Sequence, residues 1–76
     1  MIKYKIDVYQ ALKDKGYTAS IIQRENLLPS QTLTNIKHGK SITLETLNKI
    51  CILLRCQPGD IIECVITDAE KIKYFR

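Results

Sequence analysis

Residues 18–40 read TASIIQRENLLPSQTLTNIKHGK, two short amphipathic segments separated by a tight break. Thr18 is a good N-cap for a helix that runs to about Glu25 and buries Ile22. Leu27, Leu28 and Pro29 break it, and Pro29 suits the first position of the next helix, where a missing N–H costs nothing. That next helix is predicted over residues 30–38, with Gly39 ending it. Its spacing points Leu33 and Ile36 inward and offers Ser30, Gln31, Thr34 and Asn35 to solvent. The break is too short for an independent loop, so the two helices must meet at a steep angle. Short polar side chains without charge are poor solubilisers but good readers of base edges. The segment therefore reads as a helix-turn-helix whose second helix enters a DNA major groove.

Upstream, Lys3-Tyr4-Lys5 alternates and suggests a short strand with Ile2 and Tyr4 on one face. A helix is predicted from Asp7, with Val8, Ala11 and Leu12 as its apolar stripe, Lys13 and Lys15 favoured by the C-terminal dipole, and Gly16 as a left-handed stop. Downstream, Thr43 caps a further helix, and Ile42 and Leu47 occupy the two positions of a hydrophobic staple. Leu44, Leu47, Ile50, Cys51 and Leu54 follow at helical spacing as a core face. Ile52 and Leu53 fall outside that stripe and need another cover. Pro58-Gly59-Asp60 marks a turn or one helical turn, and the β-branched run Ile61–Ile66 reads as a strand that pairs with residues 2–5. Residues 68–76 alternate charge with Ile72, Tyr74 and Phe75, a pattern that selects no structure.

Seventy-six residues allow one domain with one small core, and a 45% hydrophobic fraction argues against disorder. The net charge of +4 favours an anionic partner only mildly. Cys51, Cys56 and Cys64 are an odd number without a Cys-x-x-Cys pair, and the one histidine, His38, is not at ligand spacing from them. Reduced thiols and no metal or cofactor are expected. The N-terminal MIKYKIDVYQ has no apolar leader region, and the run Ile50–Leu54 cannot cross a bilayer, which points to a cytoplasmic protein. No Gly-rich phosphate loop, paired-carboxylate site or nucleophile–histidine arrangement is present, so no enzyme is expected.

From Tyr4 to about Val65 the chain resembles the Cro/cI-type helix-turn-helix regulators, also called the XRE family, in their small stand-alone branch. The stretches YKIDVYQALKDKGYT, LLPSQTLTNIKHGKSITLETLNKIC and CQPGDIIECV carry the likeness. The resemblance implies a mainly α, lambda-repressor-like bundle of about five short helices, closed by a small two-stranded β-ribbon from the chain ends. It implies a DNA-binding domain over residues 1–66 and a C-terminal tail over 67–76. Two departures stand out. The family often has a small residue inside the second helix and Gly at the turn, where this chain has Gln23 and Leu27. Many members cap the recognition helix with Ser or Thr, where this chain has Pro29. A different crossing angle and first turn of that helix are the expected consequences.

The family's contact positions assign base reading to Ser30, Gln31, Thr34 and Asn35. Gln31 and Asn35 each carry a donor and an acceptor and can pair bidentately with adenine, while Ser30 and Thr34 let the helix approach closely. Phosphate contacts fall to Thr18, Ala19 and Ser20 at the start of the second helix and to Lys37 and Lys40 around Gly39. Arg24 is used less directly. His38 precedes the Gly stop and is expected to serve the cap region or the backbone. The expected function is sequence-specific binding of double-stranded DNA as a transcriptional regulator, repressor-like in action. One module reaches few bases, so a homodimer through Ile52, Leu53 or the KIKYFR tail is a natural partner arrangement. The alternative is a protein-interaction or adaptor module that keeps the scaffold without specific DNA binding. RNA and single strands are disfavoured because the reading face has no aromatic stacking residue.

Overall fold

A computed structural model describes all of residues 1–76. The chain order is β1 (Ile2–Tyr4), α1 (Val8–Asp14), α2 (Ala19–Arg24), α3 (Ser30–Lys37), α4 (Leu44–Leu54), α5 (Pro58–Ile61), β2 (Ile62–Cys64) and α6 (Asp68–Tyr74). The fold is mainly helical, with the expected antiparallel ribbon from the chain ends. Ile2 lies opposite Cys64, Lys3 opposite Glu63 and Tyr4 opposite Ile62.

The helices begin where short oxygen-bearing side chains satisfy free N–H groups. Asp7 accepts from the Gln10 N–H at 3.1 Å, Thr18 from Ile21 at 3.4 Å and Thr43 from Thr46 at 3.1 Å. They end where the chain can turn left-handed. Gly16 (φ +90°) follows α1 and Gly39 (φ +68°) follows α3, a region a Cβ makes costly.

The turn between α2 and α3 differs from the sequence reading by one residue. Its left-handed residue is Asn26 (φ 53°), not Leu27. Asparagine is the side chain best able to replace glycine there. Leu27 is thereby half-buried and Leu28 fully buried, so the break between the helices also feeds the core. Pro29 is the N-cap of α3 rather than its first residue. With φ −60° and ψ 146° it is extended, and it makes no side-chain cap bond. Its carbonyl accepts the Thr32 N–H at 3.0 Å, which starts α3 at Ser30.

One core joins all the helices except α6. Leu12, Ile22, Ile50 and Ile61 are its most deeply buried large side chains, and Leu33 and Ile36 anchor α3 to them. Each such side chain contributes about 1.5–3 kcal/mol of transfer free energy. Thr32 is buried beside them on the inner face of α3.

Leu44 does not belong to this core, contrary to expectation, and is 83% exposed. It is the first residue of α4, about 60° around the axis from Leu47, and no element reaches over that end of the helix. Leu53 does find cover against the core, whereas Ile52 stays exposed. The second strand is shorter than the predicted 61–66 because Ile61 closes α5 with its side chain fully buried. The tail is helical. Thr67 and Glu70 form a reciprocal capping box at the start of α6, yet none of its residues is buried.

Candidate nucleic-acid interface

At about 100° per residue, Ser30, Thr34, His38 and Gln31 share one outer arc of α3, opposite Thr32, Leu33 and Ile36. All four are exposed. Asn35 lies at one edge of the arc and is half-buried. Its Oδ1 accepts from Gln31 Nε2 at 3.2 Å, a bond between neighbours one turn apart. Each amide keeps capacity after this bond. Gln31 retains a second N–H and its carbonyl oxygen, and Asn35 retains both N–H groups and one lone pair. None of the four predicted base readers is bonded to its own backbone by its side chain.

The other edge of the arc is basic. Lys37 Nζ lies 5.4 Å from the centre of the Tyr9 ring on α1, and Lys13 Nζ lies 5.8 Å from the same ring. A cation–π contact of this kind contributes about 0.5–1 kcal/mol at an exposed site. Lys13 is thus brought beside the α3 face, which the local sequence pattern did not indicate. His38 is the second residue missed as a member of the face. The signal was available, since it stands four positions after Thr34 and seven after Gln31. From Asn26 to Leu44 the chain has no acidic residue, so nothing on α3 or its flanks repels a phosphate.

Lys40 is held by its backbone on both sides. Its N–H donates to the Asn35 carbonyl at 2.7 Å, and its own carbonyl accepts from the Tyr4 hydroxyl at 2.7 Å. The ribbon thereby fixes the loop after α3 and leaves the Lys40 side chain in solvent. Burial raises the Tyr4 phenol above its usual value, which keeps it a donor. At α2, the Thr18 oxygen is engaged in its cap, but the hydroxyl proton is not. Ser20 is exposed and Ala19 half-buried, and their N–H groups head α2 with no carbonyl a turn below. No group of three His, Cys, Asp or Glu side chains is arranged to hold a metal, and no helix is long and apolar enough to cross a membrane.

A family model describing the Cro/C1-type HTH DNA-binding domain matches residues 8–67. The chain belongs to the Cro/C1-type helix-turn-helix family. This DNA-binding family is non-catalytic, and membership favours a DNA partner over the adaptor alternative. The matched span runs from α1 through β2 and stops at the cap of α6, so the Cro/C1-type domain contains α3 and its flanking contacts but not the last helix. No curated protein and no solved structure matches the chain.

Proposed function

We propose that this Cro/C1-type domain binds double-stranded DNA sequence-specifically by inserting α3 into the major groove, and that it regulates transcription as a repressor does. The observation that carries the reading is the outer arc of α3: uncharged hydrogen-bonding side chains, free of their own backbone, inside a DNA-binding family. An occupied promoter blocks polymerase with no further chemistry.

Ser30, Gln31, Thr34 and Asn35 read base edges. The Gln31–Asn35 bond holds both amides in one orientation before DNA arrives, which lowers the ordering cost of binding. Lys37 and Lys40 flank the arc and take phosphates on one side. Thr18, Ala19 and Ser20 take a phosphate on the other, through the free N–H groups at the head of α2 and the Thr18 hydroxyl. Residues 1–66 act as the binding unit, and useful specificity comes from two copies on half-sites one helical turn apart.

Selection of bound duplexes from a random library tests this reading. The expected result is an enriched motif with two-fold symmetry. Recovery of unenriched sequence would overturn it.

A further inference from the structure

Helices α1 to α4 end in the same way. A left-handed residue (Gly16, Asn26, Gly39 or Arg55) follows the last turn, and its N–H returns to the carbonyl three residues back. The next N–H returns five residues back. Those longer bonds run from Tyr17 to Leu12 at 2.8 Å, from Leu27 to Ile22 at 2.9 Å, from Lys40 to Asn35 at 2.7 Å and from Cys56 to Cys51 at 3.0 Å. This is the Schellman arrangement, and the two residues it joins commonly meet through their side chains. After α1 and α2 the joined pair is apolar and serves the core. After α4 it is two thiols.

Cys51 and Cys56 are half-buried, pack against the core and line one open cavity together with Ile52 and Arg55, so a small reagent can reach both. Burial, followed by the neighbouring Cys56, raises the Cys51 thiol above its usual value, which favours the protonated form at rest. A disulfide spans Cα atoms about 4.4–6.8 Å apart, and the backbone bond between the two residues holds them at such a separation. The left-handed residue that brings them together is Arg55 (φ 56°), which carries a Cβ into a region where Gly16 and Gly39 carry none. A covalent link from Cys51 to Cys56 would hold that turn closed. The third thiol, Cys64, lies exposed on β2 opposite Ile2.

We propose that Cys51 and Cys56 form a redox modification site, a dithiol at rest that a low-molecular-weight disulfide such as glutathione disulfide closes to an internal disulfide. One cysteine thiolate attacks a glutathione sulfur, makes a mixed disulfide and releases the first glutathione thiolate. The second cysteine loses its proton, attacks the protein sulfur of that mixed disulfide and releases the second glutathione. One S–S bond is broken and one is made; the protein dithiol is oxidised, and two glutathione thiols leave with its two protons and two electrons. The new bond ties the end of α4 to the chain entering α5, whose Ile61 is fully buried. Neither cysteine belongs to α3, so the site stands apart from the base-reading face.

Cys64→Ser removes the exposed thiol and leaves this one pair. The full-length variant is equilibrated in mixtures of reduced and oxidised glutathione, quenched with acid and alkylated. Its intact mass then separates free thiols, glutathione adducts and the internal disulfide. The folded chain is expected to form the internal disulfide as a monomer, with an equilibrium constant about tenfold or more above that of the same chain unfolded in urea, because the fold preorganises the two sulfurs. By linkage, closing the bond is expected to lower the unfolding equilibrium constant by the same factor, read as a higher urea midpoint for the oxidised chain. A folded chain that carries only free thiols or glutathione adducts would overturn the proposal. So would a bond that forms no better in the folded chain than in the unfolded one.

Discussion

Asn35→Ala separates reading from scaffolding. In the free protein, Asn35 makes one bond with its side chain, the 3.2 Å contact from Gln31, at the half-buried edge of the α3 face. Such a pair contributes about 0.2–0.5 kcal/mol to a helix. Losing it should hardly move the urea midpoint. On DNA the same amide can make a bidentate contact with adenine worth about 1–3 kcal/mol, a loss of roughly 5- to 150-fold in affinity. Gln31 loses its orienting partner as well, so Gln31→Ala and Asn35→Ala should not be additive. A coupling of at least about 0.5 kcal/mol is expected for two groups in one network. Fluorescence anisotropy with the selected duplex and a scrambled one, at one fixed salt concentration, measures the affinities, and urea unfolding measures stability. The reasoning is refuted if Asn35→Ala weakens both duplexes equally, or if the lost affinity is matched by lost stability.

The remaining expectations follow from other parts of the molecule. Lys40→Ala should weaken all duplexes alike and flatten the slope of log K against log salt by about 0.9, the value for one phosphate; Lys37→Ala should do the same and also lower stability by about 0.5–1 kcal/mol through its contact with Tyr9. Leu44→Lys should leave the urea midpoint nearly unchanged, whereas Ile50→Ala should cost about 2–5 kcal/mol, because only the second removes buried volume. The Met1 ammonium, followed by the Thr67 backbone, holds the Glu70 carboxyl down from 4.5 to about 2. A depressed acid stabilises the fold above its unfolded value and loses that contribution on acidification, so the seating of α6 should weaken between about pH 4.5 and pH 2, followed by the amide resonances of residues 68–74.

Local chemistry explains which elements the sequence displays openly. Asp7, Thr18 and Thr43 announce helix starts because a cap is satisfied within three residues, and Gly16 and Gly39 announce stops because few other residues turn left-handed. The arc of Ser30, Gln31 and Thr34 is equally legible, since it needs only the period of a helix. Leu44 misleads because periodicity says which side of a helix is apolar but not how far the neighbouring elements extend along it. The turn residue is Asn26 and not the family's position at Leu27, because asparagine tolerates the left-handed region better than leucine does. The meeting of Lys13, Tyr9 and Lys37 joins residues far apart in the chain and has no local signature. Thr67 and Glu70 did spell a capping box, but no apolar stripe followed to suggest a helix that buries itself.

The central claim concerns a groove, and DNA chemistry can test it atom by atom. In the selected site, 7-deazaadenine removes an acceptor from the major groove, and 3-deazaadenine removes one from the minor groove, with base pairing kept. The α3 account predicts that 7-deazaadenine at one position lowers affinity, by less than Asn35→Ala because the N6 contact remains, and that the same analogue costs Asn35→Ala nothing further. Loss of affinity on 3-deazaadenine alone, with the major-groove analogue tolerated at every position, would contradict it.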